Sequence, residues 1–177
     1  MKKINFIGRY TAFFLIVTLF SGIIISCKEN EEDVVKPETI TDVILHNSEF
    51  STLREIILAN DLSDALRTEN VTLFAPNNAA FIASGITSAM VNAMDKDKDK
   101  DSARAFVYKH IVGERLLYDN LKIKNYGSLV KGDSIAVSQA PGTTTFILNK
   151  TANIITKNVN ADNGMIQVVN KTLAKVR

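Results

Sequence analysis

From Ile40 onward, apolar residues recur with the periods of regular secondary structure. In ITDVILHNSEFSTLREIILANDLSDAL, Phe50, Leu53, Ile56 and Ile57 follow three- and four-residue steps, the signature of an amphipathic helix. Leu62, Ala65 and Leu66 continue on a second short helix. Ser48 or Asn47 is placed to cap the first, and Asn60 and Asp61 mark the break between them. The run VTLF (71–74) predicts a strand that ends at Pro76, which has no N–H for the ladder. Residues 78–94 return to helical spacing, interrupted at Gly85. A further helix is predicted from Ser102 to Ile111, capped by Asp101 or Ser102, with Ala103, Phe106, Val107 and His110 on one face.

After Gly113 the pattern shortens. Residues 115–118, 128–131, 134–138, 144–148, 153–156 and 165–169 are strand-sized and parted by Gly, Asn or Pro, and Leu173 and Val176 suggest a final paired strand. Met165, Gln167 and Val169 alternate with Ile166, Val168 and Asn170, as a two-faced strand requires. Asn163-Gly164 before it is a hairpin signal, since both residues tolerate positive φ. Helices first and antiparallel strands afterwards predict an α+β domain, N-terminal helices packed against antiparallel β-sheet structure. The expected core contains Leu53, Ile57, Leu66, Phe74, Phe81, Phe106, Ile111 and Val168.

Upstream of Ile40 the pattern is different. Residues 12–25, AFFLIVTLFSGIII, are apolar and preceded by Lys2, Lys3 and Arg9; Ser26 and Cys27 follow, then the polar stretch KENEEDVVKPET. Basic start, apolar middle and small residue before the cut describe a secretory signal. The local sequence IISC resembles the bacterial lipoprotein processing motif, in which the cysteine is acylated and becomes the first mature residue. That resemblance implies a signal peptide over 1–26 and membrane lipid as a partner through acylated Cys27. An uncleaved span over residues 10–26 is the alternative, barely long enough for ~30 Å of hydrocarbon. Both readings place the rest of the chain outside the cytoplasm. Residues 27–39 read as a flexible tether with little to bury. Their acidic run resembles the surface-export signal of some Bacteroidetes lipoproteins, or is a solvated spacer.

Charge is distorted by the leader. The whole chain carries 21 Lys+Arg, 19 Asp+Glu and a formal charge of +2, but loss of residues 1–26 leaves 18 basic against 19 acidic residues. No basic field remains to argue for nucleic acid. Asp95–Asp101, DKDKDKD, invites comparison with a calcium loop. Counted from Asp95, the sixth and twelfth positions are Lys100 and Phe106; from Asp97 they are Ser102 and Tyr108. Neither register supplies the glycine and glutamate that an EF-hand needs. The segment reads as a solvated loop ahead of a helix.

Three segments, in order, resemble the fasciclin (FAS1) domain family: TLFAPNNAAF (72–81), YKHIVG (108–113) and NGMIQVVNKTL (163–173). The resemblance covers nearly all of residues 40–177 and implies a FAS1-like fold. It implies structural or interaction roles for Thr72, Phe74, Pro76, Asn77, Phe81, Tyr108, His110, Gly113, Asn163, Gly164 and Gln167. Asn77 stands where the family often has threonine, and Gln167 where it often has histidine; both keep hydrogen-bonding capacity. The resemblance further implies a lipid-anchored cell-envelope adhesion module of the bacterial outer membrane, facing the cell surface or the periplasm. Its implied ligand is an extracellular protein or polysaccharide. A non-adhesive structural or accessory subunit of an envelope glycan-handling complex is the alternative.

Catalysis would require a poised nucleophile, an acid–base pair or a metal. The chain has His46 and His110, no thiol once Cys27 is acylated, no G-x-S-x-G and no phosphate-binding loop. His110, on the inner face of its helix, reads as a ring satisfied by a backbone group and fixed in one tautomer. A carboxylate pair meeting in space is the arrangement that spacing alone leaves open. The acids cluster in the tether and in 95–101, where they read as solvated. No enzyme, cofactor or metal is expected.

Overall fold

A computed structural model describes residues 38–94 and 96–176. The leader, Cys27 and the tether as far as residue 37 lie outside the described residues. Glu38 and Thr39, assigned to the tether in the sequence, belong to the fold. Thr39 caps helix α1 (Ile40–His46) with a capping box, its hydroxyl accepting from Asp42 N and the Asp42 carboxylate accepting from Thr39 N. The Glu38 carbonyl accepts from Asp162 N at 2.9 Å.

The predicted helical region is broken into short pieces. A 3-10 turn at Ser48–Phe50 leads into α2 (Ser51–Ala59), and a second at Ser63–Arg67 leads into strand β1 (Val71–Pro76). Helices α3 (Asn78–Ala83) and α4 (Ser88–Ala93) are parted by Gly85 at φ +72°, a left-handed position open to glycine without strain. Helix α5 runs Lys96–Tyr108, which corrects two expectations. Most of the acid–lysine repeat, Lys96–Asp101, is helix, not loop. At the other end the helix stops at Tyr108, and Ile111 starts strand β2 (Ile111–Val112).

The strands that follow are β3 (Asn125–Gly127), β4 (Ser134–Gln139), β5 (Phe146–Leu148), β6 (Ala152–Ala161) and β7 (Gly164–Val169). Residues 115–118 are not a strand; Tyr118–Asn120 is a 3-10 turn. Strand character expected at 128–131 is displaced to β3, with Ser128 making a single bridge to Val112. Leu173 and Val176 form no strand; residues 171–176 cross the surface without regular structure. The sheet order is β2-β1-β7-β6-β5-β4-β3, and the Val112–Ser128 bridge brings its two ends together. One pair departs from the antiparallel expectation: β1 runs parallel to β7, from Val71 opposite Gly164 to Pro76 opposite Val169.

That central pair is buried on both faces, which divides the core in two. Val71, Leu73, Ala75, Ile166 and Val168 meet the helices, packing with Ile40, Leu53, Ile57, Leu66, Phe81 and Phe106. Phe74 and Val169 point the other way, into the curled sheet, with Leu116, Tyr118, Tyr126, Ile135, Val137 and Leu148. All eight expected core residues are buried, but Phe74 belongs to the second cluster. A strand covered on both sides reads VTLFAP, apolar throughout, because neither face meets water.

Candidate functional site

The residues singled out by their motifs do not converge on one pocket. They form three polar or aromatic constellations, each tying a loop to the central strands.

The first surrounds His110. Phe81 stacks near Phe106 at 5.8 Å between ring centroids, and Phe106 lies 4.9 Å from the imidazole. The imidazole is 1 % exposed. Its Nδ1 lies 2.8 Å from the Phe106 carbonyl, one helical turn back, and its Nε2 accepts from Leu173 N at 2.9 Å. A carbonyl can only accept, so Nδ1 carries the proton and the ring is neutral. Burial is the main force lowering its pKa from 6.5 to about 4; the Phe106 carbonyl opposes this and Lys109 adds to it. The His110 carbonyl accepts from Phe74 N at 2.8 Å, so the same residue joins α5 to β1. Tyr108, two positions earlier, is half-buried on another side of the helix, its ring 6.0 Å from the Arg104 guanidinium carbon. Asn77 closes the group by capping α3, its Oδ1 accepting from Ala80 N at 2.9 Å directly after Pro76.

The second constellation lies on the opposite face of the central pair. Thr72 donates to the Glu114 carbonyl at 2.6 Å and accepts from Leu116 N at 2.7 Å. Gln167, fully buried, donates to the Leu116 carbonyl at 3.0 Å and to Asn158 Oδ1 at 2.9 Å, while its own oxygen accepts from Asn158 N at 3.0 Å. Asn158 Oδ1 also accepts from Tyr118 N at 2.8 Å. Asn158 sits at φ +56° where the β6–β7 register shifts, so the side chain of a bulged residue locks loop 113–118 to the sheet. Gly113 itself has open space and no positive φ, and nothing in the structure explains a glycine there.

The third is the β6–β7 turn. Asn163 is 2 % exposed; its Oδ1 accepts from Ile40 N at 2.9 Å, and its Nδ2 donates to the carbonyls of Leu66 at 2.7 Å and Thr68 at 3.0 Å. The expected reason for Asn163-Gly164 is corrected. Neither residue has positive φ. A Cβ on Gly164 would run into the Val71 carbonyl and lie 2.8 Å from Ile40 Cδ1. The glycine is needed so that β1 and α1 can approach. Left-handed residues instead turn the β5–β6 hairpin, at Asn149 and Lys150.

Sequence reasoning missed Asn158, Ser84 and Arg115. Ser84 Oγ accepts from Thr172 N at 2.9 Å. Arg115 donates to the Ala161 carbonyl at 3.2 Å and to Asn160 Oδ1 at 2.5 Å, bracing the end of β6. The strand expected at 153–156 extends over Ala152–Ala161, so Asn158 fell outside the predicted strand and its bulge went unseen; the other two depend on long-range folding. Two clefts flank residues 173–176. One, of about 900 Å³, is lined by residues of α5, the β3–β4 connection and this segment; the other, of about 520 Å³, by α3, Met90 and the β5–β6 turn. Among the described residues no group of His, Cys, Asp or Glu is placed to hold a metal, and no helix is long and apolar enough to cross a membrane.

Apart from Gly113, the motif residues thus serve to fasten an α+β frame. Protein sll1483 of Synechocystis sp. is 30 % identical over 136 residues, covering 76 % of this chain and 72 % of that protein. The uncharacterised sll1735 of the same organism is 27 % identical over 137 residues, covering 76 % and 96 %. The FAS1 domain pair of the insect cell adhesion molecule fasciclin I superposes with a TM-score of 0.64 at 15 % identity, over 78 % of this chain and about half (51 %) of that one, and shows the shared fold. The fasciclin domain model matches residues 48–175. The chain belongs to the fasciclin domain family.

Proposed function

We propose that the protein is a lipid-anchored binding module of a bacterial cell envelope, held to the outer membrane by acyl chains on Cys27 and presenting its fasciclin domain to a protein or polysaccharide. The observation that carries this reading is the family match over residues 48–175, on a frame whose motif residues are engaged in fastening it together. Support for the anchor comes from the sequence: a basic start, an apolar run and IISC before an acidic spacer. One acyl chain holds a protein to a membrane only marginally, and two or more hold it firmly, each buried methylene contributing about 0.8 kcal/mol.

Two measurements test it. Cys27→Ser leaves the domain folded, removes metabolic lipid label and releases the protein from the membrane fraction. Unchanged fractionation without label points instead to a spanning anchor over residues 10–26. Protease shaving of intact cells cleaves the domain if it faces outward as an adhesin. Protection of the domain while outer-surface controls are cut overturns the exposed-adhesin reading and favours an accessory subunit facing the periplasm.

A further inference from the structure

The two clefts share one wall. Leu173, Ala174, Lys175 and Val176 line both, and the segment they belong to, Lys171–Val176, contains neither helix nor strand. It leaves β7 after a firm point: Asn170 N donates to the Asn153 carbonyl at 3.1 Å, and Asn170 Oδ1 accepts from Asn153 N at 2.8 Å. Beyond that the backbone is held at three places. Thr172 N donates to Ser84 Oγ at 2.9 Å, Asn149 Nδ2 reaches the Leu173 carbonyl at 3.4 Å, and Leu173 N donates to His110 Nε2 at 2.9 Å. Buried Ala174 and partly buried Leu173 and Val176 add apolar contact.

The contact with His110 depends on protonation state. Because Nδ1 donates to the Phe106 carbonyl, Nε2 accepts from Leu173 only while its lone pair is free. A second proton makes both ring nitrogens donors, and two N–H groups then face each other across 2.9 Å. We propose that Lys171–Val176 is a strap latched by the neutral imidazole of His110, and that protonation of this ring releases the strap and joins the two clefts into one groove.

The surroundings favour this order of events. Charged residues around the ring are Asp101 and Arg104 on α5, Lys109 just after it, Lys131 and Asp133 in the β3–β4 connection, and Lys171 and Lys175 on the strap, while α2, packed on α5, carries Arg54 and Glu55. β1, β2, α3 and α4 contribute none. Asp133 is engaged by Lys109 at 3.1 Å, and Lys109 itself opposes a charge on the imidazole. In the latched state the ring resists its second proton down to about pH 4, against 6.5 in water. With the strap open the ring meets solvent and returns toward the higher value. Each pH unit between the two therefore favours the open form by at most about tenfold, and the whole interval by at most about 300-fold.

Amide hydrogen exchange on the full chain, corrected for the intrinsic pH dependence of exchange, tests this between neutral pH and about pH 3.5. Peptides over 171–176 lose protection by about 100-fold or more on acidification, while those over β7, 164–169, keep theirs. In His110→Gln, whose amide oxygen can accept from Leu173 but does not titrate, the pH step disappears; in Ser84→Ala, which lacks a second anchor, release moves to higher pH. Should His110→Gln fail to fold, the wild-type chain decides alone, with ring titration followed by NMR. Strap protection that stays flat while the ring takes its proton, or down to about pH 3.5, overturns the proposal. Loss of protection in strap and β7 together overturns it as well, because the strap then has no opening of its own.

Discussion

At Gly164 an added methyl would strike the Val71 carbonyl and crowd Ile40, whereas at Gly113 it would meet nothing within 4 Å. Two glycines of the same family motifs therefore carry opposite predictions. Gly164→Ala destabilises the domain by roughly 3 kcal/mol, because the obstacle is backbone that cannot rotate away. Gly113→Ala stays within about 0.5 kcal/mol of the parent. Urea melts of the two variants check the contrast. His110 gives a third expectation at this scale. Its folded pKa of about 4 lies below the ordinary 6.5, so the unfolded chain binds more protons between those values. The ring's contribution is complete above pH 6.5, declines as pH falls, and is gone below about pH 4; it amounts to roughly 3 kcal/mol. His110→Ala leaves the Phe106 carbonyl and Leu173 N without their partner, costs about 3 kcal/mol at neutral pH, and flattens this part of the stability-against-pH curve.

Among elements, the bulge in β6 does the most to shape the second core. Gln167 and Asn158 exchange hydrogen bonds across it, and both reach the backbone of loop 116–118. Gln167→Leu keeps the volume but leaves Asn158 N and the Leu116 carbonyl without this partner, at a cost of about 2–3 kcal/mol by thermal or urea denaturation. The elements also show what periodicity can and cannot reveal. Leu53, Ile56 and Ile57 announced α2 because one apolar face at helical spacing has few other uses. Strand β1 was legible as a strand, yet its parallel pairing with β7 was not, since an all-apolar run does not name its neighbours. Lys96–Asp101 looked like a loop because its alternation lacks an apolar face, yet it forms the N-terminal end of α5. Leu173 and Val176 suggested a strand from two apolar positions, although their burial comes from covering the ends of helices and sheet rather than from a ladder. In the candidate site, His110, Asn163 and Gln167 were visible as residues worth singling out. Their partners Leu173, Leu66, Thr68 and Asn158 were not, because each pairing is set by the closed fold.

For the molecule as a whole, the boundary at Glu38 and Thr39 has a direct consequence. A chain starting at residue 38 retains the Thr39 cap and the Glu38 carbonyl that receives Asp162 N, and it folds and melts as one cooperative unit. A chain starting at Ile40 loses the capping box and is less stable by about 1 kcal/mol, measurable by calorimetry on the two truncations. Both cores depend on the same two strands, so loosening β7 exposes both at once. The turn that begins β7 also bears on how the protein ages. Asparagine followed by glycine is the pair most prone to lose ammonia, the glycine nitrogen attacking the side-chain carbonyl carbon to form a succinimide. That attack needs the asparagine side chain to swing free, and Asn163 is held by Ile40 N and by the carbonyls of Leu66 and Thr68. Folding thus protects the bond, and each transient opening of the turn exposes it. The aspartate that results turns a carboxylate oxygen toward two carbonyls that had received N–H groups, so re-closing is disfavoured. Damage at this one position records, irreversibly, how long each copy has spent open.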